Sequence, residues 1–501
     1  MNRHIAVLGG GLTGLSSIYH LSRRFPGASI TLLEQKPSLG GWVSSERVQV
    51  RDANGNSAEI LLESGPRTLR PNAESILELT HLLGLKDSII TTPTTSSAAK
   101  NRYLQIPETH GLLTLPNSVL SVLSPPMRTL LLPHVLKEPL RRANRPKGIT
   151  DESLDSFMTR RFGASFARLF GSALVHGIYA ADSRKLSVRA AFPSLWTAEE
   201  RGWGSMVRGL LMPGKSSKPQ LGDYELGDIQ DMMKGVSVFS FRDGMSTIIN
   251  ALEERVKQNP AVRIVCGATV ESLNVNDENC LEIRTSTSEV LHPDYVVSAL
   301  PLQTLDAIIP SSPASLPHLT ANPTSSVTVV NLVFPRVPGQ PPLHPAGFGY
   351  LIPRPFAGYS PSDPGILGTV FDSCSLSAQD RPAGAAAHFT KMTMMLGGPY
   401  SLTPSHTSIN TVLKHLASHL SDPDAESPRQ LPDPVFHRTH HHKSCIPTPT
   451  PGHVDRMAEL SAALNAGPWK GRLEVIGAGV RGVSLGDCVE SGKRSGERWS
   501  M

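Results

Sequence analysis

The sequence predicts an α/β fold, and three observations near its start carry that prediction. His4–Leu8 is a short apolar run that reads as a buried strand, and it ends in Gly9-Gly10-Gly11-Leu12-Thr13-Gly14, a GxGxxG with glycines at 9, 11 and 14. In that pattern the first glycine permits a tight turn, the second lets backbone N–H groups approach a pyrophosphate, and the third lets the next helix pack on the strand. Leu15, Ile18 and Leu21 then recur at helical spacing, which sets a helix N-terminus at the end of the loop. A second strand, Ser29–Leu33, ends on Glu34, twenty residues beyond Gly14, where a carboxylate binds a ribose hydroxyl. A carboxylate in place of arginine argues against a 2′-phosphate. Together these predict a Rossmann-like dinucleotide site made by Gly9, Gly10, Gly11, Leu12, Thr13, Gly14 and Glu34. A glycine-rich turn in an unrelated α/β protein would leave Glu34 without a role.

Leu39-Gly40-Gly41-Trp42 follows Glu34 closely. This arrangement resembles the FAD-binding proteins of the amine-oxidase and phytoene-desaturase superfamily. The resemblance implies a second glycine pair lying along a flavin nucleotide, so the dinucleotide is read as FAD and not NAD.

At 501 residues the chain is expected to form two or three lobes. Its net charge of +5 is mild and far from the dense basic footprint of a nucleic-acid binder, so no nucleic-acid partner is expected. The cysteines, Cys266, Cys280, Cys374, Cys445 and Cys488, are odd in number and form no CxxC, so reduced thiols are expected, with neither a disulfide framework nor a zinc site. The nucleotide loop begins at Gly9 and leaves no room for a cleavable leader, so organelle targeting would need internal information. No run of 18 apolar residues occurs, and any membrane contact is expected to be monotopic.

Beyond Trp42, a hairpin turning at Asp52–Asn56 returns through Ile60–Leu62. Gly65-Pro66-Arg67-Thr68-Leu69-Arg70-Pro71 then forms a stiff loop with two fixed cations, suited to lie beside a flavin ring, although an ordinary surface ion pair would also explain Arg67. A helix over Asn72–Leu85, a low-complexity stretch at Thr91–Ala99 and a short strand at Asn101–Leu104 follow. Val119–Lys147 interleaves leucines with Arg128, Lys137, Arg141, Arg142, Arg145 and Lys147, with Glu138 its only acid. That composition suits a membrane-surface element; a core-packed helical pair with a solvated basic end would carry the same leucines. Asp151–Arg161 opens an acid-capped helix expected to persist to Val175, and Pro213–Lys234 reads as a polar, disordered insertion. Val262–Cys266, Ala268–Leu273, Cys280–Thr285 and Tyr295–Leu300 are expected in one continuing sheet. A second sheet is expected from Val327–Phe334, Phe348–Ile352, Gly368–Phe371 and Met392–Leu396. His437, His440, His441 and His442 invite a metal site, but no cysteine or carboxylate stands at ligand spacing, and no metal is assigned.

Near the C-terminus a strand at Leu473–Gly479 leads into Gly482–Gly492, GVSLGDCVESG. Together with GPRTLRP (Gly65–Pro71), SVRAAFPSLWTAE (Ser187–Glu199), FRDGM (Phe241–Met245), FGYLIP (Phe348–Pro353) and IPTPTPGH (Ile446–His453), this set resembles the protoporphyrinogen oxidase family over nearly the whole chain. The resemblance implies non-covalent FAD contacts at Gly9–Gly14, Glu34, Trp42, Gly65, Pro66, Arg67, Thr68, Val270, Val483, Ser484 and Leu485. It implies a substrate pocket with Arg102 pairing a propionate, the Gly177 backbone beside the tetrapyrrole, and Phe348, Leu351 and Met395 as apolar walls. Gly486 stands where the family commonly has Asn, which puts the closing helix cap in question, and His176 precedes Gly177 where residues vary. The implied organisation is an FAD-binding domain in three segments (1–90, 236–300, 441–501), a mixed-sheet substrate domain (91–116, 301–440), a helical membrane-binding domain (117–212) and the insertion (213–235), α+β overall.

No paired carboxylate or nucleophile–base dyad stands out, which fits chemistry carried by a flavin. The implied reaction is six-electron oxidation of protoporphyrinogen IX to protoporphyrin IX in haem biosynthesis, in three flavin cycles, with O₂ as acceptor and H₂O₂ as by-product. The implied location is the mitochondrial inner membrane, facing the intermembrane space, with a homodimer and ferrochelatase as further partners. Two rivals stand beside it: another amine-oxidase-superfamily oxidase, whose aromatic cage sits poorly with 5% aromatic content, and a flavin-free binding protein like the GDP-dissociation inhibitors, which leaves Glu34, Trp42 and the closing motif unexplained.

Overall fold

The computed structural model describes residues 3–107, 109–123, 125–213, 224–311 and 314–499. His4–Leu8 is the central strand of a five-stranded sheet, in the order Leu473–Val475, Tyr295–Ser298, His4–Leu8, Ser29–Glu34, Val262–Cys266. Every pairing in it is parallel. Ile5, Ala6, Val7 and Leu8 are all fully buried, the continuous apolar run of a strand covered on both faces. Ile5 and Val7 pack with the helix Leu12–Arg24, whereas Ala6 and Leu8 pack on the opposite side with Leu273, Ile283, Leu305 and Trp469.

A seven-stranded sheet forms the second layer, in the order Phe436–Pro447, Thr324–Pro335, Phe389–Gly398, Ile366–Val370, Gly349–Leu351, Tyr103–Leu104, Leu113–Thr114. Side chains alternate between its faces. Val330, Leu332, Phe334, Met392, Met394 and Leu396 pack outward under Val412 and Leu416 of the helix Ile409–His419. On the inner face Val333 meets Val48, Val50, Ile60 and Leu62 of the hairpin Ser45–Glu63. The inner face therefore looks toward the nucleotide-binding layer.

Several expectations are corrected. Val262–Cys266 and Tyr295–Ser298 do join the parallel sheet, but Val270–Val275, Leu281–Thr285 and Val290–Leu291 form a separate three-stranded antiparallel sheet. Ile89–Pro93, which enters the low-complexity stretch, pairs with Val236–Phe241, so strands cross the expected 90/91 boundary, and Phe436–Pro447 likewise runs through 440/441. The helix after Asp151 stops at Phe162, because Gly163 takes φ 103°, and resumes through a π-helical turn to end at Tyr179. Within the expected disordered insertion, residues 214–223 lie outside the described residues. The rest is ordered: Ile229 is fully buried in the turn Ile229–Met232, and the Tyr224 hydroxyl bonds Glu490 at 3.0 Å.

In the helical region, the side chains of Val119 and Leu120 lie outside the described residues. Arg145 is not a free surface cation. It pairs with Glu199 at 2.6 Å and Glu200 at 2.9 Å and lies 3.7 Å over the Trp196 ring. Glu138, the lone acid of the stretch, is fully buried against Arg161 at 2.6 Å and accepts from the N–H groups of Met206 and Val207. This joint packs the turn Glu138–Leu140 against the helix Met206–Leu211, and Leu136, Leu140, Trp203 and Leu211 are all exposed. No helix among the described residues is long and apolar enough to cross a membrane.

Candidate active site

The GxGxxG lies at the carboxyl end of the central strand, where open parallel sheets bind nucleotides. Gly9 takes φ 97° and donates its N–H to Leu33 O at 2.9 Å, which turns the chain back over the neighbouring strand. A Cβ on Gly14 would stand 1.9 Å from Gly9 O, so only glycine lets the helix sit this close. A Cβ on Gly11 would meet nothing nearer than Gly41 Cα at 3.9 Å, which leaves open space over the loop. The helix Leu12–Arg24 has no side-chain cap and no acid in its first turn, so its N-terminal amides and positive field are left for an anion. Gly40 N–H bonds Gly10 O at 2.9 Å, which lays the second glycine pair along the first. Glu34 is fixed by the N–H groups of Gly10 at 2.7 Å and Lys36 at 2.8 Å, at the end of its strand. An open cradle, an uncapped helix and a terminal carboxylate fit the pyrophosphate and ribose of a dinucleotide.

The Gly65–Thr68 loop lies against Trp42: a Cβ on Gly65 would come within 2.2 Å of Trp42 O. Trp42 is 38% exposed, with Lys36 5.0 Å over its ring and His442 edge-on at 5.4 Å. Arg67 is a fixed cation, but not a surface one. It is buried and pairs with Asp372 at 3.1 Å, and Asp372 also accepts from the Thr393 hydroxyl at 2.7 Å. The loop is thereby tied to the inner face of the large sheet. Glu63, just before it, accepts from Met245 N–H and the Ser45 hydroxyl, and burial pushes its carboxyl up to about 7. Ser484 caps the helix Leu485–Lys493 reciprocally with Asp487, so Gly486 does not weaken the cap. Leu485 packs on the cluster around the first helix, Val483 on the helical domain, and Val270 on the cluster that includes Leu33.

The predicted substrate residues fall into two adjoining groups. Leu351, Gly368, Met395 and Val329 stand opposite one another on successive strands and form one row across the inner face. A Cβ on Gly177 would touch Leu351 at 2.8 Å, so the glycine lets the helix Ser172–Tyr179 close on this row. Beside it, the Arg102 guanidinium donates to Ala99 O at 2.8 Å and lies 6.0 Å from the Phe348 ring centroid. No carboxylate pairs with Arg102 among the described residues, and burial, together with Arg70, holds its pKa below the usual value. An unpaired, half-buried guanidinium is suited to an incoming carboxylate.

Three neighbours carry no assigned role in the sequence. Asp372 carries no motif. His176, in the sequence only a variable position beside Gly177, is buried; its Nδ1–H donates to Ile352 O at 2.7 Å, and its Nε2 accepts from Tyr359 OH at 2.9 Å. Burial holds it down to about 4, so it is a neutral strut for the Gly177 helix. His440 lies opposite Val329, in line with the row of Leu351, Gly368 and Met395; the period-two spacing of His440 and His442 is the signal in the sequence. A cleft of about 550 Å³, lined by Ile106, Met127 and Pro423, lies beside Leu113–Thr114 and includes none of the predicted site residues, so concavity alone does not locate the site.

Comparison with known proteins decides the family. A model of flavin containing amine oxidoreductases matches residues 12–498. The protoporphyrinogen oxidase of Schizosaccharomyces pombe is 32% identical, over 97% of this chain and 96% of its own length. The chain belongs to the flavin-containing amine oxidoreductases, on their protoporphyrinogen oxidase branch. The human protoporphyrinogen oxidase is likewise 32% identical, over 99% of this chain and 98% of its own length. A crystal structure of a proposed protoporphyrinogen oxidase from Exiguobacterium sp. 255-15 has the same fold, with TM-score 0.73 at 22% identity, covering 98% of this chain and 97% of that one. The protein is an FAD-dependent oxidoreductase, and the cradle at Gly9–Gly14 with Glu34 fits that cofactor.

Proposed function

We propose that this flavoprotein oxidises protoporphyrinogen IX to protoporphyrin IX, removing six electrons in three two-electron cycles with O₂ as terminal acceptor and H₂O₂ as by-product. One observation carries the reading: an apolar row of Leu351, Met395 and Val329 stands beside the unpaired Arg102 on the face that looks toward the nucleotide cradle. A flat, apolar tetrapyrrole with ionised propionates needs such a wall and such a cation. FAD, when bound non-covalently at Gly9–Gly14, Glu34 and the Gly65–Thr68 loop, supplies the two-electron acceptor. Gly177 and Leu351 close the apolar side and exclude water, Phe348 shields Arg102, and Arg102 orients the propionate end. The identity of about one third to relatives named protoporphyrinogen oxidase supports this substrate.

The exposed Leu136, Leu140, Trp203 and Leu211, flanked by exposed Lys137, Arg142 and Lys147, support a monotopic seat on an anionic membrane. On this reading the enzyme works at the mitochondrial inner membrane, facing the intermembrane space. Aerobic turnover tests the proposal. Protoporphyrin fluorescence should rise with three H₂O₂ released per porphyrin, and amines should be inert. Turnover of amines with porphyrinogen untouched would make the protein another oxidase of the family.

A further inference from the structure

The histidines of the strand Phe436–Pro447 have no role in the function described so far. Alternate residues of an extended strand share a face, so Arg438, His440 and His442 look inward while His437, Thr439 and His441 look out. Arg438 reaches Asn331 Oδ1 at 3.1 Å and pairs with Glu46. The His442 Nε2–H donates to Ser64 O at 2.6 Å, on the flavin-side loop. His440 sits between them, 6.2 Å from the His442 ring, and continues the row Leu351, Gly368, Met395, Val329 by its register with Val329. Its Nε2 is buried and has no hydrogen-bond partner among the described residues. A buried polar atom without a partner is uncommon and calls for an explanation.

The chemistry of the proposed reaction leaves a matching vacancy in roles. Oxidising one methylene bridge of a porphyrinogen breaks one C–H and one pyrrolic N–H bond. A flavin bound in the cradle would take the C–H electron pair as hydride. The N–H pair stays to form the new C=N bond, and the proton needs an acceptor. The neighbouring groups are engaged: Glu63 by Ser45 and Met245, Asp372 by Arg67 and Thr393, and His442 by Ser64. We infer that His440 Nε2 is the general base that accepts this proton where the flavin-side loop meets the substrate row, an inference that rests on the function proposed above. Burial, then Arg438 and His442, with a smaller push from His441, hold its pKa below the usual histidine value against the pull of Glu46. The ring is therefore neutral, and able to accept, at neutral pH.

Anaerobic flavin reduction by protoporphyrinogen, followed by stopped flow from pH 5 to 9, tests this. His440→Gln should reduce the rate about 100-fold or more and abolish the acid limb of the wild-type profile. Flavin content and protoporphyrin affinity, read by fluorescence quenching, should stay unchanged. Added imidazole should restore part of the rate to His440→Ala, and His441→Gln, on the outer face, should match wild type. Titration of the His440 ring by ¹⁵N NMR should coincide with the wild-type acid limb. An intact rate and acid limb in His440→Gln, or parallel loss of flavin and product binding without imidazole rescue, would overturn the assignment. Failure of porphyrinogen to reduce the wild-type flavin at any pH would instead overturn the function on which it rests.

Discussion

Breaking the buried pair between Arg67 and Asp372 should destabilise the protein severely. The two side chains are only 5% and 8% exposed, and their 3.1 Å contact joins the Gly65–Thr68 loop, which lies against Trp42, to the large sheet. Asp372 also takes the Thr393 hydroxyl at 2.7 Å, and Thr393 in turn accepts from Asn331 Nδ2 at 2.9 Å, so removing the carboxylate strands two donors at once. Arg67→Ala or Asp372→Ala leaves one charge buried without its partner, which costs about 3–5 kcal/mol. Replacing both, as Arg67→Met with Asp372→Leu, removes the uncompensated charge, and stability should return to within about 1–3 kcal/mol of wild type, the remainder being the Thr393 hydroxyl left without its acceptor. Urea denaturation of the flavin-free protein reads this energy apart from cofactor binding, which is measured on the same variants by flavin titration. Recovered stability with lost flavin affinity would locate the pair's functional contribution in the loop itself. Single variants costing less than about 1 kcal/mol would refute the reasoning, because a surface pair is worth no more than that.

Glu34→Ala should weaken FAD retention, since the carboxylate that Gly10 and Lys36 fix in place provides a charge-assisted bond of roughly 1.5–3 kcal/mol; equal flavin affinity in the variant counts against it. Arg102→Ala should raise KM for protoporphyrinogen and cut kcat/KM roughly 10- to 150-fold, while sparing the propionate dimethyl ester; equal losses on both substrates would make Arg102 structural. Reversing Lys137, Arg142 and Lys147 should release the protein from anionic vesicles, each cation contributing about 1 kcal/mol, whereas reversing Arg145 should instead disturb folding through Glu199; vesicle flotation separates the two. Burial holds His20 and His419 down to about 3 and His176 to about 4, against 6.5 for the free side chain. Each takes up a proton on unfolding, so their stability contribution is complete above pH 6.5 and is lost as pH falls toward 3, at about 1.4 kcal/mol per pH unit per proton. Glu63, raised to about 7, opposes this, its contribution being lost as pH rises from 4.5 through 7. Stability to urea that stays flat from pH 6.5 to 4 would contradict the burial of these rings.

The nucleotide half of the fold was legible because its constraints are local. A GxGxxG, an apolar strand and an acid at fixed spacing are imposed by a turn, a close helix contact and a ribose, and each contact lies within a few dozen residues. The large sheet was legible in its strands but not in its register. Leu351, Met395 and His440 come from three separate strands, and only long-range pairing brings them into one row. The strand expected at Ala268–Leu273 and observed at Val270–Val275 belongs to another sheet for the same reason, since a short strand carries no mark of its partner. Arg67 was recognised as fixed, but its partner Asp372 lies 305 positions away and stands in no motif. Arg145 reads as a surface cation in the sequence because the charge pattern of one stretch does not reveal the acids of a distant helix, here Glu199 and Glu200.

The central claim is that this chain passes electrons from a porphyrinogen to FAD, and an anaerobic titration tests it most directly. Limiting protoporphyrinogen IX added to the oxidised holoenzyme should bleach three flavins for each porphyrinogen and yield fluorescent protoporphyrin in equal amount to the substrate added. A flavin spectrum unchanged by porphyrinogen, or bleached by amines in its place, would contradict the account.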